Sequence, residues 1–163
     1  MTHHKFGLWN KRRLIIALAL LLALLATGCS RVNENAVHVT RVIDGDTIEI
    51  EGGYHVRYIG IDAPEIAHQG EPAEYFGKEA AEKNRGLVLG KRVRLEKDVE
   101  DKDKYGRLLR YVWTDNTMVN AELVKLGYAY SYAYPPNIKY QTYFLRMEKE
   151  AREHERGLWS AKN

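Results

Sequence analysis

The segment VRYIGIDAPE, residues 56–65, begins as an apolar strand that carries one arginine and ends in two carboxylates around a proline. Just upstream, RVIDGDTIEI (residues 41–50) is a second apolar run, which Asp44 and Asp46 interrupt. Strands that follow one another in a chain usually pair or lie side by side. The acids of the two segments are therefore expected at one place, as a built site rather than as scattered surface charge.

Around this segment the chain alternates apolar and polar residues in five short stretches, as β-strands do. The predicted strands are Val37–Ile43, Thr47–Ile50, Tyr54–Ile61, Arg92–Asp98 and Leu108–Trp113. Helical spacing of apolar residues predicts three helices, over Ala73–Leu89, Val119–Leu126 and Tyr140–Glu155. The expected fold is α+β with a mainly β core, a five-stranded Greek-key barrel of the OB type with about three helices.

The first 28 residues differ in character from the rest of the chain. Four basic residues precede an apolar run of 13 residues, Leu14–Ala26, which is shorter than a bilayer span and typical of a signal peptide. The segment LLATGCS then leads to Cys29, the only cysteine, and resembles a bacterial lipobox. The resemblance implies cleavage before Cys29 and lipidation of its thiol and new amino terminus. An ordinary signal peptide followed by a chance cysteine is the alternative.

The leader also determines the net charge. The whole chain has 25 basic and 22 acidic residues, a net charge of +3, but residues 29–163 keep 21 basic and 22 acidic residues and carry −1. Nucleic-acid binding would therefore have to come from a local arrangement of charge rather than from a basic surface. We expect a signal peptide at 1–28, a lipidated cysteine and short tether at 29–36, and one domain at 37–163.

The four acids of the opening segments could hold a metal. Carboxylate oxygens are ligands that hard cations such as Ca²⁺ prefer. Aspartates in turns can instead simply accept hydrogen bonds from backbone N–H groups, and this alternative stays open for Asp44 in particular. The histidines outside the leader are scattered singly and are expected at the surface: His38, His55, His68 and His154.

Two arginines have a pattern that favours phosphate binding. Arg57 lies within the third predicted strand, where alternation places it on the side of Ile59 and Ile61, and a guanidinium there needs an anionic partner. Arg107 follows DKYG just before the fifth predicted strand. The guanidinium fork suits phosphate oxygens, so two arginines beside an acid-bound cation would form a phosphate site. Either arginine alone would more often be an ordinary surface or ion-pair residue, and it is their joint arrangement that favours phosphate binding.

The segment YAYSYAYPPN places four tyrosines at alternate positions, which would put their rings on one side of an extended chain. Such rings can stack on bases with little sequence preference. The alternative is that they pack this segment onto the barrel, and we expect that of Tyr128 and Tyr130.

Five motifs occur in the order VIDGDTIEI, VRYIGIDAPE, DKYGR, MVNAELVKLGYA and GLWS. In this order and at these intervals they resemble the staphylococcal-nuclease-type (thermonuclease) domain, over roughly residues 37–159. The resemblance implies an OB-fold, Ca²⁺-dependent phosphodiesterase that acts on DNA and RNA. It also implies cleavage between phosphorus and the 5′-oxygen, which leaves 3′-phosphates.

Taken position by position, the resemblance implies Asp46, Asp62 and the backbone carbonyl of Ala63 as Ca²⁺ ligands. Asp44 would hold these ligands or metal-bound water. Many relatives have Thr in place of Ala63, but a carbonyl ligand does not depend on the side chain, so metal binding is expected to survive. Glu65 resembles the general base that acts on a water molecule near the metal.

Arg57 and Arg107 match the two catalytic arginines, which would neutralise charge on the phosphoryl oxygens, with Arg107 nearer the departing 5′-oxygen. The resemblance further implies that the residues lining the nucleotide site are Lys104, Tyr105, Tyr132 and Tyr134.

Two other classes of protein remain open. One is a non-catalytic, nucleic-acid-binding OB-fold envelope lipoprotein, and the other is a structural lipoprotein that merely uses a barrel. The complete set of acids and arginines favours the enzyme. We expect a monomer outside the cytoplasm, with no obligate protein partner evident, anchored to a bacterial membrane through Cys29. Ser30 rather than Asp follows the cysteine, which resembles outer-membrane sorting if the host has two membranes. Release of a soluble form stays open.

Overall fold

The structure is a computed structural model and describes residues 36–67 and 70–160. The predicted leader, Cys29 and its tether therefore lie outside the described residues, apart from Ala36, and so does His68. Within the described ranges, no helix is both long enough and apolar enough to cross a bilayer.

The described chain forms eight strands and three helices. The strands are β1 (Ala36–Val42), β2 (Thr47–Ile50), β3 (Tyr54–Tyr58), β4 (Ile61–Asp62), β5 (Arg92–Glu96), β6 (Leu108–Thr114), β7 (Thr117–Met118) and β8 (Tyr130–Ser131). The helices are α1 (Gly77–Val88), α2 (Val119–Lys125) and α3 (Gln141–Glu153), and a 3₁₀ turn follows at Gly157–Trp159.

Five of the strands close into a barrel. They pair in the order β3-β2-β1-β5-β6 with antiparallel neighbours, and a parallel pairing of β3 with β6 closes the ring, with Val56 opposite Leu108 and Tyr58 opposite Arg110. Alternate residues of these strands fill the interior, among them Val39, Ile48, Val56, Val93 and Val112. The predicted five-stranded OB-type barrel with three helices is confirmed.

The third predicted strand ends earlier than expected. β3 stops at Tyr58 rather than at Ile61, because Gly60 turns the chain with a φ of 80°. A Cβ on Gly60 would lie 2.3 Å from the Phe144 ring of α3, so the turn also needs a residue without a side chain. The next two residues form β4, which pairs with β8 and not with the barrel.

The first helix begins later than expected. α1 starts at Gly77 rather than near Ala73, because Phe76 adopts a left-handed conformation with a φ of 71°. The preceding residues turn back instead, and the Glu74 N–H donates to the carbonyl of Glu65 at 2.9 Å. The fourth strand ends at Glu96 instead of Asp98, and the other predicted elements differ from the structure by a residue or two at their ends.

Two fully buried asparagines attach helices to the barrel. Asn84 of α1 donates to the carbonyl of Asp44 at 3.0 Å and accepts from the Tyr58 hydroxyl at 2.9 Å. Asn120 of α2 donates to the carbonyl of Ile59 at 2.9 Å, where β3 has just ended. Buried polar groups need such partners, so both asparagines hold the chain around the acidic segments in place.

Candidate active site

The first acidic turn, Asp44–Asp46, joins β1 to β2 and is largely buried. Asp44 and Asp46 are only 7% and 4% exposed, and the N–H of Asp46 donates to Asp44 Oδ1 at 2.9 Å. Gly45 between them lies so close to Ala63 that a Cβ would approach the Ala63 Cβ to 2.5 Å. The glycine therefore lets the turn pack directly against the end of the VRYIGIDAPE segment.

The Arg57 guanidinium joins this turn to β4. Its Nη1 lies 3.0 Å from Asp46 Oδ2, and its Nη2 lies 2.7 Å from Asp62 Oδ1. Asp46 Oδ2 also accepts the backbone N–H of Ala63 at 2.7 Å. Arg57 thus has the anionic partners that its position in the sequence predicted. However, β3 ends at Tyr58, so Ile59 and Ile61 are not part of the same strand as Arg57. The alternation that predicted the three side chains on one side of a strand does not reach these two isoleucines.

The acids outnumber the positive charge beside them. Burial raises the pKa of Asp46 to about 8, although Arg57 opposes that rise, and the nearby carboxylates of Asp44 and Asp62 add to it. A pKa raised in this way means that the charged form of the Asp46 carboxylate lacks enough compensating positive charge nearby. The donors are all hard oxygens and none is sulfur or imidazole, so their chemistry fits a hard divalent cation such as Ca²⁺.

The arrangement is not a closed metal cage as it stands. Among residues 36–67 and 70–160, no three His, Cys, Asp or Glu side chains are grouped so as to hold a metal ion. The two carboxylates best placed to do so, Asp46 and Asp62, are bridged by Arg57. A cation at this place would share these oxygens with the guanidinium.

Two concave regions flank the acids, and Arg107 lines both of them. The first is a cavity of about 280 Å³ lined by Arg57, Asp62 and Arg107, together with the four residues expected at the nucleotide site. The second is an open groove of about 750 Å³, in whose wall lie Asp44, Glu65 and again Arg107. Arg107 therefore borders both the cavity that contains Arg57 and the groove that contains Glu65.

Asp103 fixes the position of Arg107. Its carboxylate accepts the Arg107 Nε–H at 2.7 Å and the backbone N–H groups of Arg107 and Tyr105 at 3.0 and 2.9 Å. Burial would raise the pKa of Asp103, but these hydrogen bonds outweigh burial and hold the pKa below its usual value. Sequence reasoning did not select Asp103, although the pattern D-x-x-G is typical of a β-turn that begins at Asp and ends at Gly.

Lys104 and three tyrosines form a further part of the wall of the first cavity. Lys104 Nζ lies 5.0 Å from the centre of the Tyr105 ring, and Tyr105 itself is 72% exposed. Tyr132 and Tyr134 are 52% and 39% exposed, and the Tyr132 N–H donates to the carbonyl of Gly60 at 3.0 Å. These rings are thus accessible to a ligand, and the Tyr132 backbone is tied to the turn that follows β3.

The other two tyrosines of the repeat lie outside this cavity. The Tyr128 ring packs 5.3 Å from the Phe76 ring, and the Tyr130 ring meets Trp159 edge-on at 5.4 Å. The expectation that Tyr128 and Tyr130 pack within the protein agrees with these contacts, although Tyr130 stays 38% exposed.

Two residues that contact the site, Asn84 and Glu74, were not predicted from the sequence. Asn84 holds the carbonyl of Asp44, as described above, and Glu74 makes two hydrogen bonds with the backbone of Glu65. No sequence signal could have found Glu74, because its partner Glu65 lies nine residues away and neither residue belongs to a helix or a strand.

The chain matches one protein family and is similar to several known proteins over most of its length. The family described as "Staphylococcal nuclease homologue" matches residues 55–161. The thermonuclease of Staphylococcus hyicus is 39% identical over 138 residues, which cover 83% of this chain and 82% of that protein. The thermonuclease of Staphylococcus intermedius is 44% identical over 124 residues, or 74% of each chain. Endonuclease YncB of Bacillus subtilis (strain 168) is 40% identical over 138 residues, 80% of this chain and 65% of its own length.

Replacing Asp103 by Asn should lower the free energy of unfolding at pH 7 by about 1–3 kcal/mol, because Arg107 loses its charged acceptor. A carboxyl whose pKa is lowered by folding stabilises the fold above its unfolded pKa, about 3.9, and loses that contribution as the pH falls through its folded pKa. The difference between wild type and Asp103→Asn should therefore shrink below about pH 4. Urea unfolding at pH 7, 5 and 3 measures it.

The matched control is Asp115→Asn, on the exposed turn before β7, which should change stability little at any of these pH values. A wild-type to Asp103→Asn difference that is the same at pH 3 as at pH 7 would contradict the assigned role of the carboxylate.

Proposed function

The chain belongs to the staphylococcal nuclease family and is a nuclease, and from this premise we propose that it is a Ca²⁺-dependent phosphodiesterase that hydrolyses both DNA and RNA with little sequence preference. The observation that carries the proposal is the Arg57 bridge between Asp46 and Asp62, in the wall of a cavity that also holds Arg107 and exposed tyrosines. We propose cleavage between phosphorus and the 5′-oxygen, with 3′-phosphate products.

Asp46, Asp62 and the backbone carbonyl of Ala63 would hold Ca²⁺, with Asp44 keeping the Asp46 backbone in place through its hydrogen bond. When bound, the cation supplies positive charge next to the reacting phosphate and balances the excess of carboxylates. The protein's own part is to keep these oxygens together in a small, partly buried volume, which the Asp44–Asp46 turn and the Arg57 bridge do.

The two arginines stabilise the charge that develops on the phosphoryl oxygens. Arg57 is 17% exposed and is held by two acids and two backbone carbonyls, so it needs little reorganisation when a phosphate binds. Arg107 is oriented by Asp103 and faces both concave regions, which suits contact with the departing 5′-oxygen. Preorganised donors of this kind contribute much of the rate enhancement in such reactions.

Glu65 acts as the general base that takes a proton from the attacking water. It lies in the wall of the groove that Arg107 also lines, so it would activate a water molecule next to a phosphate held by Arg107. In-line displacement at phosphorus then requires this water to attack from the side opposite the departing 5′-oxygen.

The tyrosines and Lys104 account for weak sequence preference. Aromatic rings stack on any base, since every base has a π-face. Lys104 beside Tyr105 adds a positive charge for a neighbouring phosphate. Neither contact depends on a 2′-hydroxyl, which supports activity on both DNA and RNA.

The test of this proposal is a nuclease assay on heat-denatured DNA and on RNA. Activity is expected with Ca²⁺, should disappear when EGTA removes the ion, and should return when Ca²⁺ is restored. The products should carry 3′-phosphates by mass spectrometry. DNA binding without cleavage in Ca²⁺ would favour a non-catalytic binding protein, and cleavage that continues after complete chelation would rule out Ca²⁺ dependence.

Substitution of either arginine should lower the rate strongly. We expect Arg57→Ala and Arg107→Ala each to reduce kcat by about 10²–10³-fold, because each removes a preorganised donor from the transition state. Arg85→Ala, on the exposed surface of α1, is the matched control and should leave kcat unchanged. Circular dichroism checks that each variant folds, and near-normal turnover in a folded Arg57→Ala or Arg107→Ala protein would refute the assignment.

We also propose that residues 1–28 are a lipoprotein signal peptide and that Cys29 carries the lipid, which would anchor the domain to a membrane outside the cytoplasm. The support is the basic start, the apolar run and the lipobox-like LLATGCS. In cell fractionation, wild type should sediment with membranes and incorporate labelled palmitate. Cys29→Ala should do neither, and the neighbouring Ser30→Ala should behave as wild type. Equal membrane retention of Cys29→Ala would defeat the proposal.

A further inference from the structure

The backbone of Glu65 is held on both sides by a single residue, Glu74. The N–H of Glu65 donates to Glu74 Oε2 at 3.0 Å, and the carbonyl of Glu65 accepts the N–H of Glu74 at 2.9 Å. These two bonds fix the peptide groups before and after the Glu65 Cα. Since the Cα–Cβ direction follows from those two peptide planes, they also fix the direction in which the Glu65 side chain leaves the loop.

A second contact presses the same loop against α1. Gly77, the first residue of the helix, lies so close that a Cβ would stand 2.2 Å from the carbonyl oxygen of Glu65 and 3.2 Å from that of Pro64. Backbone atoms cannot give way as the end of a flexible side chain can. Only glycine at position 77 therefore allows the helix to start at this distance from Glu65.

The turn that carries Glu74 is itself held in an unusual conformation. Phe76 has a φ of 71°, and this left-handed conformation costs free energy in a residue that has a Cβ. Its ring lies 5.8 Å from the Tyr75 ring and 5.3 Å from the Tyr128 ring, and these contacts offset that cost. The turn Glu74–Gly77 is thus fixed to the body of the protein, and strain of this kind is concentrated at functional sites.

We propose that Glu74 is a positioning residue for the reaction, which holds Glu65 in the geometry needed to take a proton from the attacking water. This inference rests on the proposed function, because it assumes that Glu65 is the base. The carboxylate of Glu74 acts as a hydrogen-bond acceptor for the loop, so an uncharged acceptor of the same shape should serve nearly as well.

The test compares Glu74→Ala with Glu74→Gln in steady-state kinetics on denatured DNA with Ca²⁺. Glu74→Ala should lower kcat by about 10–10²-fold while KM stays within about 2-fold, since misplacing a reacting group by about 1 Å can cost this much without weakening substrate binding. Glu74→Gln keeps an acceptor oxygen and should recover most of the rate. Glu79→Ala, which removes another exposed carboxylate near the start of α1, should match wild type.

A second measurement does not depend on activity. In wild type the Glu65 amide should be protected from hydrogen exchange by its bond to Glu74, as followed by ¹H–¹⁵N NMR. The protection factor should fall at least 10-fold in Glu74→Ala and be retained in Glu74→Gln. Unchanged protection in Glu74→Ala would overturn the inference, as would wild-type kcat in that variant or equal losses in the Ala and Gln variants.

Failure of the inference can be told apart from failure of the proposed function. If wild type has no nuclease activity, or if Glu65→Gln is fully active, the assigned role of Glu65 is wrong, and the positioning role falls with it whatever the exchange data show. If wild type is active and Glu65→Gln is impaired, while Glu74→Ala is normal in kcat, only the inference fails.

A pair of glycine substitutions perturbs the same contact from the helix side. Gly77→Ala should lower kcat with little change in KM, because the new Cβ pushes the Glu65 loop away. Gly86→Ala, in the same helix, has open space around its Cβ position and should leave the kinetics unchanged. A folded Gly77→Ala protein with wild-type kcat would contradict the positioning role of this turn.

Discussion

The arrangement of this site depends on how one guanidinium is satisfied. Arg57 is mostly buried, and an unpaired charge there would be costly. Its fork meets Asp46 and Asp62, and its Nη1 also donates to the carbonyls of Tyr58 and Ile61. These two carbonyls lie on either side of the break after β3. The strand therefore bends around the guanidinium, and the bend is what brings Asp62 back towards the turn that carries Asp46.

The same arrangement explains how a domain with no excess of positive charge could bind a polyanion such as a nucleic acid. Residues 29–163 carry a net charge of −1, and Arg57 is paired with two carboxylates, those of Asp46 and Asp62. The positive groups that face the cavity are few, but two of the arginines are oriented by acids before any ligand arrives. Affinity would then come from placement rather than from total charge, with the balance supplied by a bound cation.

Much of the fold could be predicted from the sequence, and so could the grouping of acids and arginine at the centre of the site. Alternation gave the five barrel strands, and the adjacency of sequential strands correctly brought Asp46, Arg57 and Asp62 together. What could not be predicted depends on distant partners. The break at Gly60 is set by the Phe144 ring, 84 residues later. The late start of α1 arises because Phe76 packs on Tyr128, whereas the local composition favours a helix from residue 73. Periodicity contains no information about either contact.

The parallel pairing of β3 with β6 has a consequence for folding kinetics. Antiparallel hairpins can form between β1, β2 and β3 as soon as that part of the chain exists, and they bring Asp46 next to Arg57. Closure of the ring must wait for Leu108, some fifty residues further along, and contacts of such long sequence separation form slowly. Arg107 directly precedes this closing strand. A chain caught before closure would thus hold the Asp46–Arg57 pair without the second arginine, so the complete site would form only when the barrel itself closes.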